Sequence, residues 1–68
     1  MARIKEWRIL RERLDYGRRR QEFVWYTGVL GDTEYVKFRT EAEANAAAGL
    51  YNVRRDGWQY VAFGIVGP

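Results

Sequence analysis

The sequence predicts a small α+β domain: an antiparallel sheet in β-β-β-α-β order with one helix packed on one face. Three observations carry this. Residues 38–53 read as a strand end running into a capped, alanine-rich helix. Gln21–Leu30 and Trp58–Val66 are dense in β-branched and aromatic residues, the composition of strands. The turn signals Gly31-Asp32-Thr33 and Asp56-Gly57 fall beside these runs. With 68 residues the chain makes one domain over 1–68. A chain of this size buries only about 60% of the surface its unfolded form exposes.

Met1–Tyr16 supports two patterns. As a helix, Ile4, Trp7, Leu10 and Leu14 form one stripe, with Gly17 placed to end it; the element order is then α-β-β-α-β. As a strand, Trp7 and Ile9 share one face, and Arg8, Leu10, Glu12 and Leu14 the other. No N-cap residue precedes the stretch, and the following strand needs a partner. Lys5–Leu14 is therefore read as a strand, joined to the next through a turn over residues 15–20. Gln21–Leu30 is the second strand, Gly31-Asp32-Thr33 a turn, and Glu34–Arg39 the third strand.

The helix is expected over Glu41–Asn52. Thr40 and Glu43 have the spacing of a capping box, and Glu41 and Glu43 place negative charge in the first turn. Five alanines within residues 42–48 favour helix. Arg54-Arg55-Asp56-Gly57 turns the chain into the last strand, Trp58–Val66. The helix is expected to face the sheet through Ala42, Ala46, Gly49, Leu50 and Val53, against Val24, Tyr26, Leu30, Val36, Phe38, Val61, Phe63 and Ile65. Alternation then puts Phe23, Trp25, Thr27, Tyr35, Lys37, Trp58, Tyr60 and Ala62 on the opposite face, an aromatic platform that one helix leaves open.

Composition excludes several chemistries. The chain has no cysteine, histidine or serine. That removes disulfides, Cys or His metal ligation and Ser-His or Cys-His catalysis. The carboxylate pairs Glu41/Glu43 and Asp32/Glu34 sit at a helix cap and a hairpin turn, so no catalytic set stands out and no cofactor is expected. No apolar run approaches the ~20 residues of a membrane span, and residues 1–14 lack the apolar core of a signal peptide. A soluble, cytoplasmic protein without a membrane partner is expected. Charge is uneven: residues 1–20 hold eight basic and three acidic side chains, the remainder four and six. The basic end points to an anionic partner, although a run such as Arg18-Arg19-Arg20 is also common on solvated surfaces.

Phe38-Arg39-Thr40-Glu41-Ala42-Glu43-Ala44 fits F-x-T-x-x-E-A. These seven residues are similar to the last strand and helix start of the arm-type DNA-binding domains of tyrosine integrases. The resemblance implies three strands followed by a helix, with the sheet placed in a DNA groove; the strand after the helix departs from that pattern. In its brevity, basic charge and lack of a catalytic set the chain also resembles small phage-encoded regulators and inhibitors.

The function expected from these features is a non-enzymatic binding module. Nucleic acid is the first partner, with Arg18, Arg19, Arg20, Lys37 and Arg39 on phosphates and Trp25, Tyr35, Trp58 and Tyr60 stacking on bases. The alternative is a small inhibitor or adaptor gripping a protein through the same aromatic face. Homodimerisation through that face is a third use.

Overall fold

The computed structural model describes residues 3–67. It is an α+β fold: an antiparallel sheet with a single helix packed on it. The first element, β1 (Arg3–Asp15), is a 13-residue strand, so the helical alternative for this stretch does not hold; Met1 and Ala2 lie outside the described residues. A strand wins here because β1 is the centre of the sheet. One edge pairs along Arg3–Glu12 with the last strand, β6 (Gln59–Gly67). The other pairs with β2 (Arg18–Phe23) and, further back, with β5 (Lys37–Phe38).

Between these lie β3 (Trp25–Thr27) and β4 (Thr33–Tyr35), which leave the sheet as a separate two-stranded ribbon. The predicted second and third strands are thus each interrupted once, at Val24 and at Val36. The two valines keep the broken strands in register: Val24 N donates to Ile9 O (2.9 Å), and Val36 N donates to Val24 O (3.1 Å). The turn between β3 and β4 falls earlier than Gly31-Asp32-Thr33. Gly31 N bonds Gly28 O at 2.9 Å, which puts Val29 and Leu30 at the turn's apex, with Gly31 in the left-handed region at φ 85°.

Helix α1 (Glu41–Val53) begins where the capping box predicts. Thr40 Oγ1 accepts from Glu43 N at 3.2 Å. The return contact differs: the Glu43 carboxylate accepts from the Thr40 hydroxyl at 3.0 Å. The helix ends at Arg54, and Arg55 takes the left-handed C′ position that glycine usually fills (φ 50°). A cation there suits the negative end of the helix dipole.

The core is thin: Ile9, Ala44, Ala48 and Tyr60 are buried, with Trp7, Val24, Phe38, Ala47, Tyr51, Trp58 and Ala62 packed around them. The helix therefore meets the sheet through Ala44, Ala47, Ala48 and Tyr51. The expected stripe of Ala42, Ala46, Gly49, Leu50 and Val53 lies off that face, and Leu50 and Val53 are exposed. The faces of the last strand are likewise reversed. Register sets Tyr60 opposite Arg11, Ala62 opposite Ile9 and Gly64 opposite Trp7, so these share the helix side. Val61, Phe63 and Ile65 point the other way. Gly64 makes room beside Trp7: a Cβ would lie 2.8 Å from Ile4 Cδ1 and 3.3 Å from Trp7 Cη2. Of the expected core, Val24 and Phe38 pack on it, Val36 is half-buried, and Tyr26 and Leu30 are exposed.

Candidate nucleic-acid interface

The β1–β2 hairpin extends beyond the rest of the sheet. The last β1–β6 pair is Glu12 with Gln59, whereas β1 and β2 stay paired to Asp15 with Arg18. Residues 13–20 therefore form a two-stranded ribbon with four arginines, Arg13, Arg18, Arg19 and Arg20, and one acid, Asp15. The three consecutive arginines stand in a strand and not, as the sequence suggested, in the turn. Alternation sends Arg19 to one face and Arg18 and Arg20 to the other. Arg19 pairs with Glu12 at 2.9 Å, while Arg13 and Arg20 each lie 3.7 Å from Asp15. Arg18 makes no ion pair among the described residues.

The ribbon closes with the two-residue turn Tyr16-Gly17, both at positive φ (52° and 80°). This is the pattern of a type I′ turn, whose first position favours Asn, Asp or Gly. A left-handed backbone costs an L-residue with a Cβ roughly 1–2 kcal/mol. Tyr16 is nonetheless there, and it is 100% exposed.

A second cluster lies on the sheet face away from the helix. Arg8 donates through Nε to Glu6 at 2.7 Å. Its guanidinium also sits 4.8 Å from the centre of the Tyr35 ring and 5.3 Å from that of Phe23. Phe23 packs edge-on against Tyr35 and Phe63, at 6.0 and 5.6 Å. The Arg8 hydrogen bond holds the Glu6 carboxyl below the usual carboxylate range. Lys37, opposite Arg8 in register, is an exposed cation of this face. Arg8 is thus already engaged by a carboxylate and two rings. Arg8 and Phe63 belong to this cluster although neither was among the expected site residues. The signal was present in the strand reading of β1, which put Arg8 and Leu10 on the face opposite Trp7 and Ile9.

Trp58 and Tyr60 are on the helix side, not on the open platform the sequence suggested. Arg11 and Arg13 stack over Trp58 with guanidinium carbons 4.4 and 4.7 Å from its ring centre. Arg11 donates to Glu22 through Nε (2.9 Å) and through a second guanidinium nitrogen. Tyr60 is 5% exposed, stacks on Tyr51 at 4.9 Å and donates its phenol O–H to Asp56 at 2.6 Å. Asp56 also accepts from Trp58 N at 3.0 Å. These bonds, the phenol's first, hold the Asp56 carboxyl below its ordinary value. Burial, and then the bond to Asp56, push the Tyr60 phenol up.

The expected site residues therefore divide into four places. Arg18, Arg19 and Arg20 line the β1–β2 ribbon. Tyr35 and Lys37 join Arg8 on the open face, with Trp25 opposite Tyr35 on the β3–β4 ribbon. Arg39 lies between β5 and α1. Trp58 and Tyr60 serve the core. No family model, curated protein or solved structure matches this chain.

Proposed function

We propose that the protein is a non-enzymatic nucleic-acid-binding module that grips the phosphate backbone with the β1–β2 ribbon. The observation that carries this is the ribbon's charge: four arginines against one aspartate, on a segment that extends beyond the pairing with β6. Arginines on both faces of a narrow ribbon reach phosphates on either side of it. A two-stranded ribbon also fits the B-DNA major groove, about 12 Å wide. Lys37 and Arg39 add positive charge elsewhere on the surface. Arginine–phosphate contacts position a protein without reading sequence.

The test is a salt titration of binding to labelled mixed-sequence oligonucleotides, read by fluorescence anisotropy. Each neutralised phosphate releases counterions, giving a log–log slope of about −0.7 per contact on single strands. Replacing Arg18, Arg19 and Arg20 together with alanine should flatten the slope by up to about two units on a single strand. No binding at tens of micromolar protein in low salt overturns the reading.

A protein partner is the second reading, favoured by the β3–β4 ribbon. Trp25, Tyr26, Val29, Leu30 and Tyr35 are all exposed there; the ribbon itself carries Asp32 and Glu34 and no basic residue, and Arg8 reaches it at the Tyr35 ring. Such a surface suits a basic protein patch and is repelled by phosphate. Binding through it should respond weakly to salt, with the loss on Trp25→Ala appearing mainly in the off-rate. A second copy of the chain on the Arg8–Phe63 face is a further occupant, and light scattering across a concentration series detects it.

A further inference from the structure

We infer that Tyr16 is a base-stacking tip, which makes unpaired nucleotides the preferred ligand of the ribbon. The inference rests on the nucleic-acid reading above and adds the form of nucleic acid. It starts from a conformation. Among the described residues two non-glycine residues have positive φ, Tyr16 and Arg55. Arg55 is accounted for, since a helix C′ position calls for a left-handed residue and the helix dipole favours a cation there. Tyr16 has no comparable account. The first position of a type I′ turn is suited to Asn, Asp or Gly, and a tyrosine there is strained. A strained residue persists where something else makes use of it. Nothing in the free protein does: the side chain is fully exposed and makes no hydrogen bond among the described residues.

The surroundings specify the ligand. Asp15 and Arg18 flank the turn as a cross-strand pair, and Arg19 and Arg20 follow in the strand. Asp15 is shared between Arg13 and Arg20 and Glu12 pairs with Arg19, which leaves Arg18 without an ion pair among the described residues. A fully exposed aromatic ring beside a cluster of guanidinium groups matches a nucleotide, with phosphate to the arginines and base to the ring. In an intact duplex the faces of the bases are covered by their neighbours. A ring at a turn tip reaches a base face only where the base is unpaired, as in single strands, loops and ends. One stacked base contributes enough for about a 5- to 150-fold change in affinity.

The experiment compares the protein with its Tyr16→Asn and Tyr16→Phe variants. Each is titrated by anisotropy against a mixed-sequence single strand, a blunt duplex, and a single strand of equal phosphate count carrying an abasic tract. Thermal unfolding is measured alongside. Asn suits the turn better than Tyr, so Tyr16→Asn should unfold about 2–5 °C higher. The same variant should bind the single strand at least fivefold more weakly and the duplex unchanged. Tyr16→Phe keeps the ring and should bind as the parent does. The abasic strand should bind all three proteins alike. Gain of stability with loss of single-strand affinity separates a ligand contact from a structural role. Tyr16→Asn binding the single strand within twofold of the parent overturns the stacking tip and leaves the ribbon's phosphate grip intact. An equal loss on single strand and duplex overturns it too. No binding of any oligonucleotide by the parent overturns the nucleic-acid reading and this inference with it.

Discussion

Tyr60 ties three segments together. Its ring stacks on Tyr51 of the helix, its phenol bonds Asp56 of the turn, and its backbone exchanges two 2.9 Å hydrogen bonds with the Asn52 side chain. Asn52 thereby occupies the free edge of β6 as a strand residue would. Truncating a buried aromatic costs about 3–5 kcal/mol. Tyr60→Ala is therefore expected to move the urea midpoint much further than Phe63→Ala, because Phe63 is already 43% exposed. An equal or reversed ranking is incompatible with these sheet faces. The Tyr60–Asp56 bond requires a protonated phenol and an ionised carboxylate. Asp56 is depressed in the folded state, so the stability it contributes is present above its ordinary value of 3.8 and is lost as pH falls through the folded value. Between pH 5 and 2, wild type should lose more stability than Asp56→Asn, which has no charge to lose there. Parallel pH profiles contradict this.

The helix and the two ribbons differ in what makes them form. The helix is specified locally: a capping threonine, acids in its first turn, and alanines. Thr40→Ala should lower stability by about 0.5–2 kcal/mol, read as a lower denaturant midpoint; an unchanged midpoint places the helix start elsewhere. The face it presents is another matter. Five alanines give no apolar stripe to read, and the larger side chains Leu50 and Val53 suggested a face that packing did not use. Tyr51 decided the rotation through its stack on Tyr60. The β1–β2 ribbon holds its end through a strained turn, and the β3–β4 ribbon through Gly31.

β1 organises the molecule, since among the described strands it alone has partners on both edges. Among the described residues four form the buried core while many large apolar side chains stay exposed, including Leu30 at 88%. Local stability should follow that distribution. In native-state hydrogen exchange, the amides bonded within Trp7–Glu12 are expected to be the slowest and those of β3 and β4 among the fastest. Comparable protection in β3–β4 would mean that its apolar surface is covered in solution, as the protein-partner and self-association readings require. The long, central strand also explains the separation of charge. β1 runs past the end of β6 and turns back into β2, so Arg13, Arg18, Arg19 and Arg20, half of the basic side chains of residues 1–20, stand in a ribbon at one end of the sheet.

Strand composition, turn residues and the capping box were enough to read the α+β class, the helix limits and the last strand, while the strand expected before the helix is broken at Val36. Those are properties of short windows, where propensity and local hydrogen bonding act. The basic segment was legible as charge, but its place in a strand was not, because Tyr16-Gly17 is a poor match to the usual hairpin turn. What the residues alone left open was which side of each strand the helix covers. Period-2 alternation divides a strand into two sets without saying which is inside, and in β6 both sets are apolar: Tyr60 and Ala62 against Val61, Phe63 and Ile65. Pairing with β1 chose between them, because Ile9 and Trp7 need small partners in Ala62 and Gly64 to let the alanine face of the helix approach.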